Sequence, residues 1–427
     1  MKTHNQGGQA LCVSAIASNQ GKTLFTMALL HHFKESVRPF KIGPDFIDPQ
    51  FHTHICETPS VNLDRFMMNE TQVKWIFDKY SDKEISICEG VMGFYDGMDK
   101  GSSAYDISKE LQIPTLLILD GSSSYITVSA VLKGLKTYKY DNTIKAVVLN
   151  KLSSHGHFEL IKKQIEKDFS DIKVLGWIKK DLPSLSETHL GLDLKDIGKI
   201  ENISKEVLEF IDLKLLEEVS SKFTRNVIES YPFKGLEPVN KKLAIVHDEN
   251  FSFLYHDNAE FLKEIFKEVF FVSSVKDETI PYDTDVVYIP GGYVETDYNY
   301  DKVKESLNFK ASLILHAKSK AVYAECAGLL YLSNRVDDKK MSGILDLEFT
   351  LKNRFQRMGY YFSSDANIKG HSFHYTNILN TKPGVAILSK EKGKDGEVGS
   401  WQDAKVFGSY LHVMLRDNTE LIQRRFI

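Results

Sequence analysis

The sequence has little cysteine, with four residues far apart among 427 and without a Cys-x-x-Cys pair. This spacing argues against a disulfide framework or a structural zinc site, and it favours a reducing, cytoplasmic location. The chain also lacks the run of roughly 20 apolar residues that a membrane-spanning helix needs. The net charge of −4 offers no basic surface for general binding of nucleic acid or acidic lipid. We therefore expect neither nucleic acid nor a membrane as a partner.

What is present is an alternation of short apolar, β-branched segments with helical patterns. This alternation predicts an α/β fold with a doubly wound, mainly parallel sheet, followed by a second α/β domain. We expect a first domain over 8–220, a linker over 221–242 and a second domain over 243–427. The strands predicted in the first domain are Leu11–Ile16, Ile85–Cys88, Thr115–Leu119, Ala146–Leu149 and Val174–Trp177. Ligands of such a sheet bind at the carboxyl ends of the strands.

A phosphate-binding loop is predicted where the first strand meets the helical pattern 22–34. Backbone N–H groups and the positive end of the helix dipole favour an anion there, Lys22 adds a charge, and Thr23 adds a hydroxyl for Mg²⁺. The first glycine of the usual pattern would fall at Ile16, so an ordinary turn is the alternative. The residues expected to hold ATP here are Ser18, Asn19, Gln20, Gly21, Lys22 and Thr23.

Polar side chains follow the other predicted strands of this domain. Asp45 and Asp48 flank a Gly-Pro turn, and Glu89 comes directly after a buried strand. Carboxylates beside a phosphate loop repel the nucleotide unless a cation lies between them, which favours Mg²⁺ ligation over a role as turn formers. Asp120 is either a further strand-end acid or a helix cap. Asn150 either recognises a purine edge or forms a strand-end turn. Together these residues predict an ATP–Mg²⁺ site.

A second cluster lies in the predicted second domain. Cys326 follows the apolar strand 321–324 and is surrounded by small residues, which is typical of a nucleophile on a sharp strand-to-helix turn. We expect the helix N-terminus to lower the pKa of its thiol. The Gly291-Gly292 turn offers a backbone N–H for an oxyanion, and His412 follows a late strand as a possible general base. The alternative for Cys326 is an inert core residue.

His371 and His374 have a spacing that suggests a metal site, but no third ligand is near them in the sequence. We interpret them as a substrate-facing or ordinarily hydrogen-bonded pair.

The motifs at 41–49, 89–97, 291–293 and 324–328 together resemble those of the cobyrinate a,c-diamide synthase family. The resemblance covers about residues 10–415. It implies a dethiobiotin-synthetase-like domain and a class I glutamine amidotransferase domain. The implied activity is amidation of the a and c acetate carboxylates of cobyrinate through acyl phosphates. ATP and Mg²⁺ would be the cofactors, and a corrinoid or related tetrapyrrole and L-glutamine would be the partners, with a possible homodimer. Enzymes that act on hydrogenobyrinate or nickel-sirohydrochlorin share these motifs and remain alternatives.

The resemblance also implies roles for individual residues. Cys326 and His412 would be catalytic in glutamine hydrolysis. The glutamine pocket would contain Gly291, Gly292, Tyr293 and Ala327. Magnesium would be held by Thr23, Asp45, Asp48 and Glu89. Residues expected on the substrate side are Lys41, Tyr95 and Asp96.

The chain departs from the family pattern in three places. Ile16 and Asn19 stand where glycines are common in the family's phosphate loop, while Lys22 and Thr23 are intact. Met414 stands where most class I amidotransferases have Glu, so we infer a Cys-His dyad without an assigned third member. Ser372 stands where the family usually has Glu. A regulatory or partitioning P-loop ATPase is the alternative from another class, and the predicted Cys326 site argues against it.

Overall fold

The computed structural model describes residues 8–182, 187–188, 191–192, 198–221, 223, 230–365, 368–380 and 382–427. The chain forms two compact units, Met1–Pro232 and Phe233–Ile427. Residues 222 and 224–229 of the predicted linker lie outside the described residues. No helix in the described part of the chain is long and apolar enough to cross a membrane.

The first unit is built on a seven-stranded sheet with the order β3-β2-β4-β1-β5-β6-β7, and all its strand pairs are parallel. Its strands are β1 (Gln9–Ala15), β2 (Val37–Ile42), β3 (Val61–Leu63), β4 (Ile85–Gly90), β5 (Thr115–Asp120), β6 (Ile144–Leu152) and β7 (Lys173–Lys179), with a separate hairpin of β8 (Glu187–Thr188) and β9 (Gly191–Leu192). The helices are α1 (Lys22–His32), α2 (Ile47–Cys56), α3 (Glu70–Tyr80), α4 (Ala104–Glu110), α5 (Ile126–Tyr138), α6 (His155–Asp168), α7 (Ile200–Leu208) and α8 (Leu213–Ser220). The predicted α/β sheet is confirmed.

The strands of this sheet are buried on both faces, which is why most of them could be predicted from the sequence as short apolar segments. Both β1 and β4 are buried along their lengths, and their apolar side chains, among them Leu11, Val13, Ile85 and Ile87, join one core with α1 and α7. The strand predictions above omit β2, which contains Arg38, Pro39 and Lys41 and so does not look like a central strand. Glu89 was expected just after its strand but lies inside β4, opposite Lys41 of β2.

The second unit has a nine-stranded mixed sheet, ordered β11-β10-β12-β13-β22-β21-β20-β17-β18. Its strands begin with β10 (Val239–Val246), β11 (Phe266–Val272), β12 (Val286–Ile289), β13 (Ala321–Glu325), β14 (Arg335–Val336), β15 (Lys339–Lys340) and β16 (Glu348–Leu351). The later strands are β17 (Arg357–Ser363), β18 (Lys369–His374), β19 (Thr376–Ile378), β20 (Ala386–Ser389), β21 (Glu397–Asp403) and β22 (Val406–Ser409). The helices are α9 (His256–Ile265), α10 (Asp297–Val303), α11 (Leu307–Ala317), α12 (Ala327–Leu332) and α13 (Thr419–Arg425).

The order of these strands decides which loops meet. β12, β13 and β22 are adjacent and parallel, so their carboxyl ends lie at one edge of the sheet. The loops that follow them begin with the Gly291 turn, Cys326 and the segment leading to His412. These three loops are far apart in the sequence, and only the sheet brings them together.

Candidate active site

The phosphate loop of the first unit follows β1, between β4 and β5, where the strand order reverses. Gly21 precedes α1 with a φ of 92°, a left-handed conformation that glycine adopts without strain. A Cβ at this position would meet the Asn150 amide nitrogen at 2.4 Å. That amide donates a hydrogen bond of 2.9 Å to the Gln20 carbonyl oxygen. The structure therefore brings Asn150 to the loop, while Ser18 and Asn19 are exposed on its outside.

Lys22 and Thr23 face the interior side of this loop. The Lys22 ammonium donates to the Ala17 carbonyl oxygen at 3.0 Å, and burial lowers its pKa against the opposing effect of the Glu89 charge. Thr23 Oγ1 donates a hydrogen bond of 2.8 Å to Glu89 Oε1. The loop side chains that a nucleotide would need are thus oriented by contacts within the protein.

A buried cluster of charges lies beneath the loop. The Lys41 side chain is 2% exposed and its Nζ lies 3.4 Å from Asp45, 3.3 Å from Glu89 and in closer contact with Asp48. Burial alone would lower the pKa of Lys41, but the charges of Asp48, Glu89 and Asp45 outweigh it and hold that pKa above its usual range. Lys41 was predicted on the substrate side, and its observed contacts are these carboxylates.

The pKa values of Asp48 and Glu89 in this cluster are shifted in opposite directions. Burial raises the pKa of Asp48 to about 7, with the Lys41 charge acting against it. Burial also acts to raise the pKa of Glu89, but Lys41 and a 2.8 Å hydrogen bond with His52 Nε2 hold it below its usual range. His52, which the sequence reasoning missed, fixes the second oxygen of Glu89. Its only signal in the sequence is its place on the helical segment after the Gly-Pro turn.

Thr23 and Glu89 supply a hydroxyl and a carboxylate oxygen that lie side by side. Mg²⁺ in nucleotide sites keeps several waters and takes one or two carboxylates with phosphate oxygens, so this donor pair fits the ion. Asp45 and Asp48 contact Lys41 instead, and their role in binding the metal stays a prediction. Within the described residues, no three His, Cys, Asp or Glu side chains form a metal-binding cluster by themselves.

The segment after Glu89 packs against the base of the phosphate loop. The Phe94 N–H donates to the Ala15 carbonyl oxygen, and a Cβ on Gly93 would lie 2.5 Å from the Ile16 carbonyl oxygen. Asp96 accepts a 2.8 Å hydrogen bond from the Gly93 N–H, and the Tyr95 hydroxyl donates to the Leu135 carbonyl oxygen at 2.7 Å. These contacts shape the loop, and the predicted substrate contacts of Tyr95 and Asp96 stay predictions.

Asp120 is not a helix cap. Its carboxylate accepts hydrogen bonds from the Ser122 N–H at 2.9 Å and the Lys151 ammonium at 2.7 Å, whereas Tyr125 is the residue that precedes α5.

In the second unit Cys326 occupies a strained turn between β13 and α12, with φ 45° and ψ −104°. Its N–H donates to the Ser409 carbonyl oxygen at 2.7 Å, which ties the turn to the end of β22. The expected lowering of the thiol pKa is wrong: burial, together with the nearby charge of Glu295, raises it far above its usual value. The six-residue helix that follows does not offset the loss of hydration. A base must therefore remove the thiol proton.

His412 lies at the same edge of the sheet, and its backbone pairs with that of His371 through hydrogen bonds of 2.8 and 2.9 Å. The Gly291 turn packs directly on its ring, since a Cβ on Gly291 would lie 2.2 Å from His412 Cε1. Gly292 is equally restricted, because a Cβ there would lie 2.0 Å from the Asn250 carbonyl oxygen. Both glycines are required by close approach of other atoms.

The remaining residues of the predicted glutamine pocket surround this turn. The Ala327 N–H is hydrogen-bonded to the Cys326 sulfur, and the Tyr293 ring packs edge-on against Phe253 with centroids 4.7 Å apart.

Two buried acids at this site were missed by the sequence reasoning. Glu325 Oε2 lies 3.4 Å from His412 Nδ1, and its position directly before Cys326 was the available signal. Glu295 has a buried Oε2 with no hydrogen-bond partner among the described residues, and burial raises its pKa to about 7.

The two histidines of the pair differ, since the His374 ring is hydrogen-bonded, whereas His371 Nδ1 is buried with no hydrogen-bond partner among the described residues. His374 Nδ1 lies 2.9 Å from the Thr376 carbonyl oxygen, and its ring stacks on Tyr410 with centroids 3.6 Å apart. Ser372 lies between His371 and His374 in the sequence. Its side chain is buried, and its hydroxyl donates a hydrogen bond of 3.2 Å to the Tyr410 carbonyl oxygen.

A cleft of about 590 Å³ lies beside α6 and β7 of the first unit. It contains none of the residues predicted for either site.

Comparison with known proteins gives both a domain and full-length relatives. Residues 242–420 match a family described as a CobB/CobQ-like glutamine amidotransferase domain. The chain is 34% identical to a protein of Fusobacterium nucleatum named cobyrinate a,c-diamide synthase, over 98% of this chain and 100% of that protein. Proteins of the same name from Caldanaerobacter subterraneus and Listeria monocytogenes are 33% and 30% identical, with 96% and 97% of this chain covered and 96% and 98% of theirs.

Together these full-length similarities confirm the resemblance seen in the motifs. The chain belongs to the cobyrinate a,c-diamide synthase family.

Proposed function

We propose that this protein uses ATP and glutamine to convert the a and c acetate carboxylates of cobyrinate into amides, through acyl phosphates. The observation that supports the proposal is that one chain carries two complementary sets of groups. One is a strained Cys326 and a His412 on loops that follow the adjacent parallel strands β13 and β22, and the other is a phosphate loop whose Thr23 contacts the buried Glu89. A regulatory ATPase has no use for the first set.

The second unit would release ammonia from glutamine. The Cys326 thiol is protonated at neutral pH because burial raises its pKa, so His412 takes the proton as sulfur attacks the amide carbon. The N–H groups of the Gly292 turn and Ala327 would stabilise the oxyanion. The carbon–nitrogen bond then breaks as His412 returns the proton to nitrogen. Water hydrolyses the remaining γ-glutamyl thioester to glutamate.

The first unit would activate the carboxylate. Phosphorylation is needed because a carboxylate oxygen is a poor leaving group, and ammonia then displaces phosphate from the acyl phosphate. Lys22 would hold the transferred phosphoryl group, and Asn150 would fix the loop around the nucleotide. Thr23 and Glu89, with help from Asp45 or Asp48, would hold Mg²⁺, which neutralises phosphate charge when bound. We place Lys41, Tyr95 and Asp96 on the side of the macrocycle.

The setting proposed for this activity is the cytoplasm, in agreement with free, scattered cysteines, and a homodimer is the proposed assembly.

The test is to incubate the protein with ATP, Mg²⁺ and glutamine and with cobyrinate, hydrogenobyrinate or nickel-sirohydrochlorin in separate reactions. Mass spectrometry is expected to show two successive acid-to-amide conversions of cobyrinate. Double amidation of another macrocycle in preference to cobyrinate would show that this other macrocycle is the substrate. The absence of amidation with all three macrocycles would refute the proposal.

A further inference from the structure

We propose that Glu325 is the positioning residue of the glutaminase site and completes a Cys326–His412–Glu325 triad. The inference rests on the proposed function and deepens it. Glu325 is the last residue of β13, and its Oε2 lies 3.4 Å from His412 Nδ1. Both side chains are fully enclosed, with 1% of each residue exposed. A carboxylate this deeply buried is stable as an ion only where it is paired and hydrogen-bonded.

Two tyrosines hold the Glu325 carboxylate in place. The Tyr288 hydroxyl donates to Oε2 at 3.1 Å, and the Tyr323 hydroxyl donates to Oε1 at 2.9 Å. Burial and the charge of Glu325 raise the pKa of both hydroxyls well above the usual value, so both keep their protons and remain donors. The Tyr323 ring is itself fixed by stacking on Phe407 at 5.7 Å. The acceptor that faces His412 is therefore oriented before glutamine arrives.

The end of β13 positions both the acid, Glu325, and the nucleophile, Cys326. Glu325 is in register with Ser409 on β22, and the next residue, Cys326, donates its N–H to the Ser409 carbonyl oxygen at 2.7 Å. Glu325 is the last residue of the strand, whereas Cys326, with a φ of 45°, already belongs to the turn, so the acid and the nucleophile are adjacent residues held by the same contacts with β22. This arrangement supplies a carboxylate in a chain that has Met414 two residues after the histidine.

The chemical role follows from the two nitrogens of imidazole. An acceptor at Nδ1 keeps the proton on that nitrogen and leaves Nε2 able to accept the thiol proton, and it stabilises the imidazolium that forms. The separation of 3.4 Å is longer than an ideal hydrogen bond, as is common in active sites before substrate binds. Glu325 does not touch the reacting atoms and acts through His412.

The experiment compares Glu325→Gln with Glu325→Asp in the full chain. The side-chain amide introduced by Glu325→Gln can present an N–H to Nδ1 and so favour the wrong tautomer, and we expect glutamine-dependent kcat to fall on the order of 10²- to 10⁴-fold. We expect the KM for glutamine to change little, the pH–rate profile of glutamine hydrolysis to shift, and amidation with free ammonia to stay at the level of the unaltered protein. Glu325→Asp should recover part of the lost rate.

The matched control is Glu348→Gln, a change of the same chemistry on β16, where the carboxylate pairs with Arg335 at 2.6 Å. It should leave both activities unchanged. If Glu325→Gln aggregates, Tyr323→Phe removes one hydroxyl that holds the carboxylate and should slow glutamine hydrolysis alone. The proposal is overturned by glutamine-dependent kcat within about 3-fold of the unaltered protein, or by equal loss with glutamine and ammonia. Glutamate release is also measured without a macrocycle, so failure of the cobyrinate assay remains distinct from failure of this inference.

Discussion

At the scale of single residues, Gly21 combines two constraints, a φ of 92° and contact with the Asn150 amide. A Gly21→Ala substitution costs about 1–2 kcal/mol in backbone conformation and forces the Asn150 side chain away from the Gln20 carbonyl oxygen. We expect the KM for ATP in the ammonia-dependent reaction to rise about 10-fold.

The matched control for this change is Gly134→Ala on α5, where a Cβ would meet no atom within 4 Å. Alanine is favoured over glycine inside a helix by roughly 0.5–1 kcal/mol, so the control should slightly raise the melting temperature and leave the KM for ATP unchanged. An unchanged KM in Gly21→Ala would show that the loop tolerates a different geometry when ATP binds.

The folding stability of the second unit is expected to depend on pH through His374. Burial and the nearby Arg357 charge lower its pKa to about 3, whereas an unfolded histidine titrates near 6.5. Between these values the unfolded chain binds a proton that the folded chain does not, so stability falls as the pH drops below about 6.5. This single group should cost about 1.4 kcal/mol at pH 5.5 relative to pH 7.5.

The test uses His374→Phe, which keeps an aromatic ring against Tyr410 and removes the titration. Urea unfolding is followed through Trp401, with Trp75 and Trp177 of the first unit replaced by Phe in both proteins. The variant should lose about 1.4 kcal/mol less than its parent between pH 7.5 and pH 5.5. Equal losses in the two proteins would contradict the assignment.

At the scale of elements, the segment that follows His412 is anchored to α9. The Asn258 amide donates to the Val413 carbonyl oxygen at 2.8 Å and accepts from the Leu415 N–H at 2.7 Å. The buried Arg416 guanidinium, in a 3₁₀ helix over Leu415–Asp417, donates to Asp257 and Glu264 at 2.7–3.1 Å. Helix α9 therefore fixes the position of the loop that presents His412.

Removing this anchor is expected to destabilise the second unit. Arg416→Met leaves two carboxylates beside a buried apolar side chain, and we expect a loss of about 2–4 kcal/mol in the free energy of unfolding. Arg424→Met removes an exposed ion pair with Asp365 and should cost less than about 1 kcal/mol. Chemical unfolding of both variants measures the difference, and a similar small effect for both would show that the anchor carries little energy.

At the scale of the whole molecule, the two clusters of candidate site residues lie in separate units, so the two activities we propose for them should be separable by substitution. Cys326→Ala should reduce glutamine-dependent amidation by at least about 10³-fold and leave amidation with free ammonia intact, because the nucleophile is lost while the phosphate loop remains. Lys22→Ala should lose amidation with both nitrogen sources, since neither route avoids phosphoryl transfer.

The measurement is product formation with glutamine and with ammonium chloride at saturating ATP. A Cys326→Ala protein that is inactive with ammonia, or a Lys22→Ala protein that is fully active with it, would contradict this division of labour. Circular dichroism of both variants serves as the control for folding.

The sequence by itself determined the two α/β folds and singled out the candidates for the reactive residues. Buried strands such as β1 and β4 can be recognised because most of their positions are apolar or small, Lys22 because it follows a glycine where a strand gives way to a helix, and Cys326 because small residues follow it at a strand end. The pattern of apolar, small and polar residues along a short segment is enough for these predictions. It failed at β2, where polar residues are buried in a central strand because partners elsewhere in the chain satisfy them.

Only the tertiary structure decided what those residues contact. It showed that Lys41 lies among three carboxylates, that burial outweighs a short helix at the Cys326 thiol, and that Glu325 faces His412. Each of these depends on which strands are neighbours and how deeply a side chain is enclosed. The charges that surround a side chain, its loss of hydration and its distance from groups on neighbouring strands depend on residues far away in the sequence. They therefore cannot be predicted from a short sequence pattern.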